Sequence, residues 1–473
     1  MSVQILLQGR IVGTEPFLLS GAGDELDFAG RAQWLSLLSE VLPRALIAEL
    51  QLSRMLLGSS GGEQFLVVLP EEVRARADEF LIAARADMRR LSGGKLNLIW
   101  AVTENLGDWS VIRKRINDEM QRRHGTPLAW GELEPPNEPA DPAYCAQLAD
   151  GLRRNETIGW NAESPAMLTA GSGKHKWSIG DGIDAIPLAR HTALTDDGNA
   201  VAEPHILGAR AQGAAIWGVL RGDVDDFGIR LRRLHTIEEH VQISIMYKQF
   251  FAGELEVLAS LPEFWRKVSL VSAGGDDFAI YGAWDALIAF ALELRRVFHR
   301  FAEEKLKEFP GQEGKTVTMA LALASEPNAR MDSMFERAGE KLAIAKATDK
   351  DCFYLLGRTL EWKQVSDASE LKDQLTRMVI EFGASPEYIR ELCGIYRETK
   401  KTGGGSRPAR VERPWRFHRR LNRILGTSRS REYQKARTGL VTELTGKNPA
   451  NLKLRPSGRV ALEWARLATE VQR

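Results

Sequence analysis

Apolar and polar positions alternate along residues 3 to 12 (VQILLQGRIV), the period-two signature of a half-buried strand, whereas residues 27 to 50 carry the wider spacing of a helix with an apolar face. Residues 54 to 57 read as a short strand running into Ser59-Ser60-Gly61-Gly62, and Glu63-Gln64-Phe65 opens a second strand ending in LVVLP, so the pair forms a hairpin on a Gly-Gly turn. A helix over 71 to 91, a strand over 95 to 104 and a helix from Trp109 to about Arg123 complete the order βαββαβ with a trailing helix. The same order begins again at residues 214 to 222 (AAIWGVLRG). It continues through a helix around 230 to 258, the strand 268 to 273, a hairpin at Gly274-Gly275-Asp276-Asp277-Phe278, the strand AIYG, a helix over 284 to 308, the strand 316 to 324, a helix over 332 to 347 and the strand CFYLL. Arg10 and Gly61 are 51 residues apart, and so are Asp223 and Gly274, which makes duplication the simplest account of the shared order.

The fold class expected is therefore α+β, with two ferredoxin-like βαββαβ domains and a helical C-terminal domain. The boundaries expected are 1–124, a linker domain over 125–210 broken by Pro and Gly (PPNEPADP, 135 to 142), 211–362, and 363–473, whose helical pattern is interrupted by TGGGSRP (402 to 408).

Length and composition narrow the rest. A chain of 473 residues exceeds a single core, and 44% hydrophobic with 27% charged residues describes a globular protein. No apolar run approaches the roughly 18 residues of a membrane span, and MSVQILLQGR lacks the layout of a signal peptide, so a cytoplasmic protein without membrane attachment is expected. Cys145, Cys352 and Cys393 are too dispersed for a disulfide framework or a four-thiolate zinc site. Residues 401 to 473 hold 18 Lys and Arg against 5 Asp and Glu, while the preceding residues are net acidic, so a phosphate backbone or an acidic partner is expected at the C-terminal end.

Asp223 ends the first strand of the second repeat, and a ferredoxin-like sheet sets that end beside the hairpin bearing Asp276 and Asp277. Three carboxylates so gathered supply the hard oxygen ligands of Mg²⁺ or Mn²⁺ and leave room for triphosphate oxygens, the arrangement of metal-assisted phosphoryl transfer. Gly274 and Gly275 are expected to adopt positive φ and to admit a triphosphate close to the backbone. Asp225 is a reserve ligand if the strand extends, and Asp226 should face away. As a bare tetrapeptide Gly-Gly-Asp-Asp is ordinary turn chemistry; the third acid at the neighbouring strand end favours a metal site.

GVLRGDVDDFG (218 to 228), SLVSAGGDDFAIYGAWDAL (269 to 287) and AGEKLAIAKATDKDCFYLLGRTLEW (338 to 362) together resemble the second palm domain of the large subunit of type III CRISPR effector complexes. LDFAGRAQWLSLLSEVL (26 to 42) and LLGSSGGEQFLVVLP (56 to 70) are similar to that family's first palm, and residues 186 to 213 to the approach to the second. The resemblance implies synthesis of cyclic oligoadenylates from ATP upon target RNA binding, with Asp223, Asp276 and Asp277 holding metal and performing catalysis. It implies triphosphate contacts from Lys346 and Lys350, an adenine pocket lined by Ser244, and nucleotide contacts from Gly274 and Gly275 and from Gly61 and Gly62. Taken singly, the two lysines read equally as solvated helix residues and Ser244 as incidental. The partners implied are the other effector subunits, guide CRISPR RNA and target RNA, in a hetero-complex and not a homo-oligomer.

Departures from the family pattern carry their own expectations. No His is followed by Asp, so the histidine-aspartate nuclease domain and DNA cleavage are not expected, and the zinc site between the palms is missing. Arg10 and Glu63-Gln64 replace the acids of the first repeat, so that half can hold a nucleotide as acceptor without catalytic metal. RPWRFHRRLNRILGTSRSREYQKAR (413 to 437) interleaves Arg with Trp415, Phe417 and His418, as phosphate contact with base stacking requires, though a merely basic solvated helix reads the same way. Ala170-Gly171-Ser172-Gly173-Lys174 fails as a phosphate loop because Leu168 stands at its first glycine position and His175 replaces the Ser/Thr, and His235 and His240 lack the spacing of a helical metal pair. Two other functions fit the same residues: a nucleotidyltransferase making a cyclic dinucleotide or an adenylylated small molecule, and a non-catalytic RNA-binding scaffold.

Overall fold

A computed structural model describes residues 3–470 apart from 22–23, 126–140, 181, 183, 399–408, 411–413, 427–429, 446–452 and 455. The N-terminal half runs β1 (Gln4–Val12), α1 (Thr14–Leu18), α2 (Glu25–Glu49), β2 (Leu57–Gly61), β3 (Gln64–Pro70), α3 (Arg74–Leu91), β4 (Asn97–Glu104) and α4 (Trp109–Gly125). Its sheet has the order β2-β3-β1-β4, antiparallel throughout. One face packs Leu7, Val67, Leu98 and Trp100 against α2 and α3; the other packs Leu6, Leu66 and Ile99 against Trp109, Ile112 and Ile116 of α4. Both strand parities are apolar because both faces are covered. The expected strand at Arg54–Leu57 is instead a 3₁₀ turn over Arg54–Leu56 followed by β2, with Ser53 Oγ accepting from the Met55 amide at its start.

Residues 125–210 depart from a linker of modest structure. α5 (Tyr144–Arg154), β5 (Thr157–Trp160), β6 (Leu168–Ala170), β7 (His175–Ser178) and α6 (Pro204–Ala209) give a three-stranded sheet and two helices. These are anchored by Trp34 Nε1 donating to Ala166 O (2.9 Å), the Ala166 amide donating to buried Asp87 (2.9 Å), and the Tyr144 hydroxyl bonded to Leu168. Tyr144, Leu148, Ile158 and Trp160 join the N-terminal core directly. PPNEPADP lies largely outside the described residues.

The second half repeats the strand order. β8 (Trp217–Val224), α7 (Phe227–Arg232), α8 (Ile237–Gln249), α9 (Leu255–Ala259), β9 (Val268–Gly274), β10 (Asp277–Ala283), α10 (Trp284–Lys305), β11 (Val317–Leu323), α11 (Met331–Thr348), β12 (Cys352–Leu355) and β13 (Arg358–Glu361) build a mixed sheet of order β13-β12-β11-β8-β10-β9. Its last four members match the N-terminal sheet position for position. The single helix expected around 230 to 258 is broken at Leu234–Thr236, where Thr236 caps α8 by accepting from the Glu239 amide (3.1 Å), and β13 is a strand the pattern did not announce. Leu220, Val224, Phe278 and Ile280 face Phe251 and the α10 apolar stripe; Trp217, Val219, Ala279 and Tyr281 face α11 and, from the other half, Phe28 of α2.

α2 is thus buried on nearly every side, with Asp27, Gln33, Ser39 and Glu40 covered as well as the apolar face, because both halves pack on it. The two halves also exchange ring contacts: Phe28 meets Phe335 of α11 at 5.1 Å and Trp109 of α4 meets His240 of α8 at 5.3 Å between centroids. The C-terminal region is helical, with α12 (Trp362–Ile380), α13 (Glu387–Glu398), β14 (Ala409–Arg410), α14 (Pro414–Leu425), α15 (Arg431–Thr445), β15 (Lys453–Leu454) and α16 (Pro456–Ala468), and Val460, Leu462 and Leu467 continue the core of the second half. No helix among the described residues is long and apolar enough to cross a membrane. TGGGSRP and the side chains of Trp415, Phe417 and His418 lie outside the described residues.

Candidate functional site: two glycine hairpins around a carboxylate cluster

Each half contributes one tight hairpin. In the first, Gly61 pairs with Gln64 across Gly62 and Glu63, both at positive φ (59° and 63°), as a type I′ turn demands. In the second, Gly274 pairs with Asp277 across Gly275 and Asp276, and only Gly275 lies at positive φ (63°). The expectation of positive φ at Gly274 is therefore corrected: it is the last residue of β9, in strand conformation, and a Cβ there meets nothing within 4 Å. The hairpins touch, since a Cβ on Gly275 would lie 3.2 Å from the Gly62 Cα.

The carboxylates assemble where the repeat spacing sets them. Asp277 is the cross-strand partner of Asp223, as Gln64 is of Arg10, and Asp276 follows in the turn, its carbonyl accepting from the Val224 amide (2.8 Å). Asp223 is half-buried and bonded to the Lys346 ammonium of α11. Asp276 is pushed up to about 7 by loss of hydration and by the charge on Asp223, against the pull of Lys346. Asp277 reaches about 7 as well: its side chain keeps one side open to solvent, but protein crowds the rest, and Asp276 and Asp223 repel it. Asp223 is raised chiefly by burial, with Lys346 opposing. Among the described residues no three Asp, Glu, His or Cys side chains stand close enough to enclose a metal ion.

Asp225 does not join this cluster. The strand ends at Val224, and the Asp225 carboxylate turns inward, 3% exposed, to accept from Thr316 Oγ1 (2.8 Å), Thr318 Oγ1 (2.7 Å) and the Asp351 amide (3.0 Å). It fastens β8 to the segment before β11 and to the start of β12, so the reserve-ligand reading is corrected. Asp226, in the left-handed region, pairs with Lys350 (2.7 Å), which is exposed.

Two cavities flank the hairpin contact. The Asp276 side is lined by Ser59, Gly61, Gly62, His240, Ser244, Lys248 and Gly275; the Asp277 side by Glu15, Ser36, Glu40, Glu63, Arg221, Gly274 and Phe335. Gly61, Gly62, Gly274, Gly275 and Ser244 all border one or both.

Several of these groups were not singled out from sequence. His240, Ser244 and Lys248 follow one another at four-residue spacing on α8, and of the three only Lys248 carries no expectation from the sequence. Lys248 bridges the halves: its ammonium bonds Glu40 Oε1 (3.1 Å) and Ser60 Oγ (3.1 Å), and Arg44 bonds the same carboxylate (2.6 Å). Burial would raise Glu40, but Lys248 and Arg44 outweigh it and hold the carboxyl below its ordinary range. Glu63, which replaces an acid of the pair, is raised by burial.

Fold and site define a protein of the palm-domain class: residues 216–354 match the family described as Cas10/Cmr2, second palm domain. Over that stretch the chain is similar to the Cas10/Csm1 large subunits of type III CRISPR effectors. It is 33% identical over 116 residues to the CRISPR system single-strand-specific deoxyribonuclease Cas10/Csm1 (subtype III-A) of Mycobacterium tuberculosis, covering 20% of this chain and 14% of that protein. It is 22% identical over 438 residues to the protein of the same description from Thermococcus onnurineus, covering 75% and 55% respectively. The matched parts thus span less than two thirds of either relative. Among solved structures, a Csm1–Csm4 cassette in complex with pppApApA superposes with a TM-score of 0.76 at 15% identity, covering 99% of this chain and 70% of that one.

Proposed function

We propose that this chain is the large subunit of a type III RNA-guided effector and joins ATP molecules into cyclic oligoadenylate when target RNA is bound. The observation carrying the reading is the cross-strand pairing of Asp223 with Asp277, with Asp276 in the adjoining turn, where two glycine hairpins meet with a cavity on either side. On this reading the two sheets of matching order are ferredoxin-like palm domains over 1–124 and 211–362, joined by the domain over 125–210 and followed by the basic helical domain over 363–473.

The donor set suits Mg²⁺ or Mn²⁺: all oxygen, with two carboxyls raised to about 7 by confinement and mutual repulsion that a divalent ion would relieve. Asp223, Asp276 and Asp277 would hold it, and it would supply charge neutralisation at the phosphates and a lowered pKa for the attacking hydroxyl. Asp223 exchanges its bond to Lys346 for that role, freeing the ammonium for the triphosphate. Lys350, two residues past α11, is paired with Asp226 and would leave that pair to reach the triphosphate. Ser244, midway along the α8 stripe, lines the base end of the Asp276-side cavity, and Gly62 and Gly275, lacking Cβ atoms, let phosphate approach the backbone. An acceptor nucleotide in the opposite cavity then presents its ribose 3′-hydroxyl to the α-phosphate of the donor; the 3′–5′ phosphodiester forms as the bond to pyrophosphate breaks. The pppApApA bound by the similar cassette is the kind of linear product this step makes. A Csm4-like subunit, guide RNA and target RNA are the partners proposed.

The test is the assembled complex with labelled ATP and target RNA, products being separated by chromatography. Wild type should yield cyclic oligoadenylate and the Asp276→Ala/Asp277→Ala variant none. Equal product from both, or a product built from other nucleotides, removes the reading.

A further inference from the structure

Among the described residues Arg221 is a cation without an ion-pair partner. It sits on β8 two residues before Asp223, on the same sheet face, and borders the cavity on the Asp277 side. It makes no hydrogen bond or salt bridge among the described residues; its guanidinium lies 4.0 Å above the Phe335 ring. The Asp277, Glu15 and Asp223 carboxylates act on it from beyond ion-pair distance. A half-buried guanidinium left unpaired is costly, and five donors in a fixed fork at the edge of a cavity suit the oxygens of a phosphate.

The slot that holds it is built. Phe335 and Gly339 are one turn apart on α11, the first giving the guanidinium a flat face and the second leaving it room, because a Cβ at Gly339 would stand 2.5 Å from Arg221 Nη1. Glycine inside a helix costs roughly 0.5–1 kcal/mol relative to alanine. Here the missing methyl makes space for an arginine side chain.

We infer that Arg221 is the phosphate-binding residue of the cavity on the Asp277 side, seating a phosphate of the nucleotide or growing oligonucleotide held there. The inference rests on the reading above and adds the residue that recognises the acceptor's backbone.

Binding of linear pppApA to the assembled complex, measured calorimetrically at two salt concentrations, tests it with Arg221→Gln, Arg221→Lys and Gly339→Ala. The expectation is at least a tenfold weaker Kd and a shallower salt dependence for Arg221→Gln, with partial retention for Arg221→Lys. Gly339→Ala should bind more weakly while melting no lower than wild type, a divergence that a purely structural arginine would not produce. If Arg221→Gln fails to fold, Arg221→Lys and Gly339→Ala decide alone. Wild-type affinity in Arg221→Gln and Gly339→Ala overturns the inference and leaves the cyclase reading standing; no pppApA binding by wild type overturns that reading itself.

Discussion

Gly62 and Gly275 meet backbone to backbone where the two halves touch, each at positive φ and each the first turn residue of its own hairpin. The contact makes one cleft of two halves. Gly275→Ala should cost about 1–2 kcal/mol from the left-handed backbone alone, and its methyl would force the hairpins apart, so oligoadenylate synthesis should fall at least tenfold. Gly274→Ala, with open space around its Cβ, should melt within about 0.5 kcal/mol of wild type. Thermal melting and product yield, measured side by side, check both.

The carboxylates give a pH signature. Asp276 and Asp277 have folded pKa values near 7, far above an unfolded carboxyl, so the folded state binds more protons between those limits. Metal-free stability should therefore fall as pH rises from about 4 to 7 and level off above. Asp277→Asn should melt a few degrees higher than wild type at pH 8 without metal, the gain vanishing near pH 4, because it removes the repulsion. Mg²⁺ should stabilise wild type more than the variant, and its affinity should rise through pH 7 as the carboxyls ionise. Scanning calorimetry across pH, with and without Mg²⁺, reads both effects.

Lys248 and Glu40 test how the halves are held together. The pair is buried, so Lys248→Met strands a carboxylate with Arg44 as its remaining cation and should cost about 3 kcal/mol. Adding Glu40→Leu should recover much of the loss. A double-mutant cycle by chemical denaturation gives the coupling, and additive losses would contradict a direct pair.

Asp225 is expected to matter to folding and not to metal. Asp225→Ala leaves two threonine hydroxyls and the Asp351 amide without an acceptor and should cost about 3 kcal/mol. Mg²⁺ affinity of the folded fraction should stay at the wild-type value; a large loss would return Asp225 to the metal site.

Strands, helices and the two hairpins were legible in the chain because period and turn chemistry are local. The equal spacing of Arg10 to Gly61 and Asp223 to Gly274 foretold matching sheets, since register follows from element length and turn size. The placement of the carboxylates was legible for the same reason: a strand end and its neighbouring turn are fixed by one sheet. Other features depended on residues far away in sequence. Asp225 turns inward because Thr316, Thr318 and Asp351 wait there, and the segment over 125–210 folds because Trp34 and Asp87 offer it partners. Lys248 gains its role from Glu40, and Arg221 its slot from Phe335 and Gly339. Amino-acid order by itself determined which side chains carry charge at the turn of each repeat. Only packing between the repeats decided which of those charges are paired, which are left open to a ligand, and where the cavities lie, because burial and electrostatic strength are properties of a neighbourhood and not of a residue type.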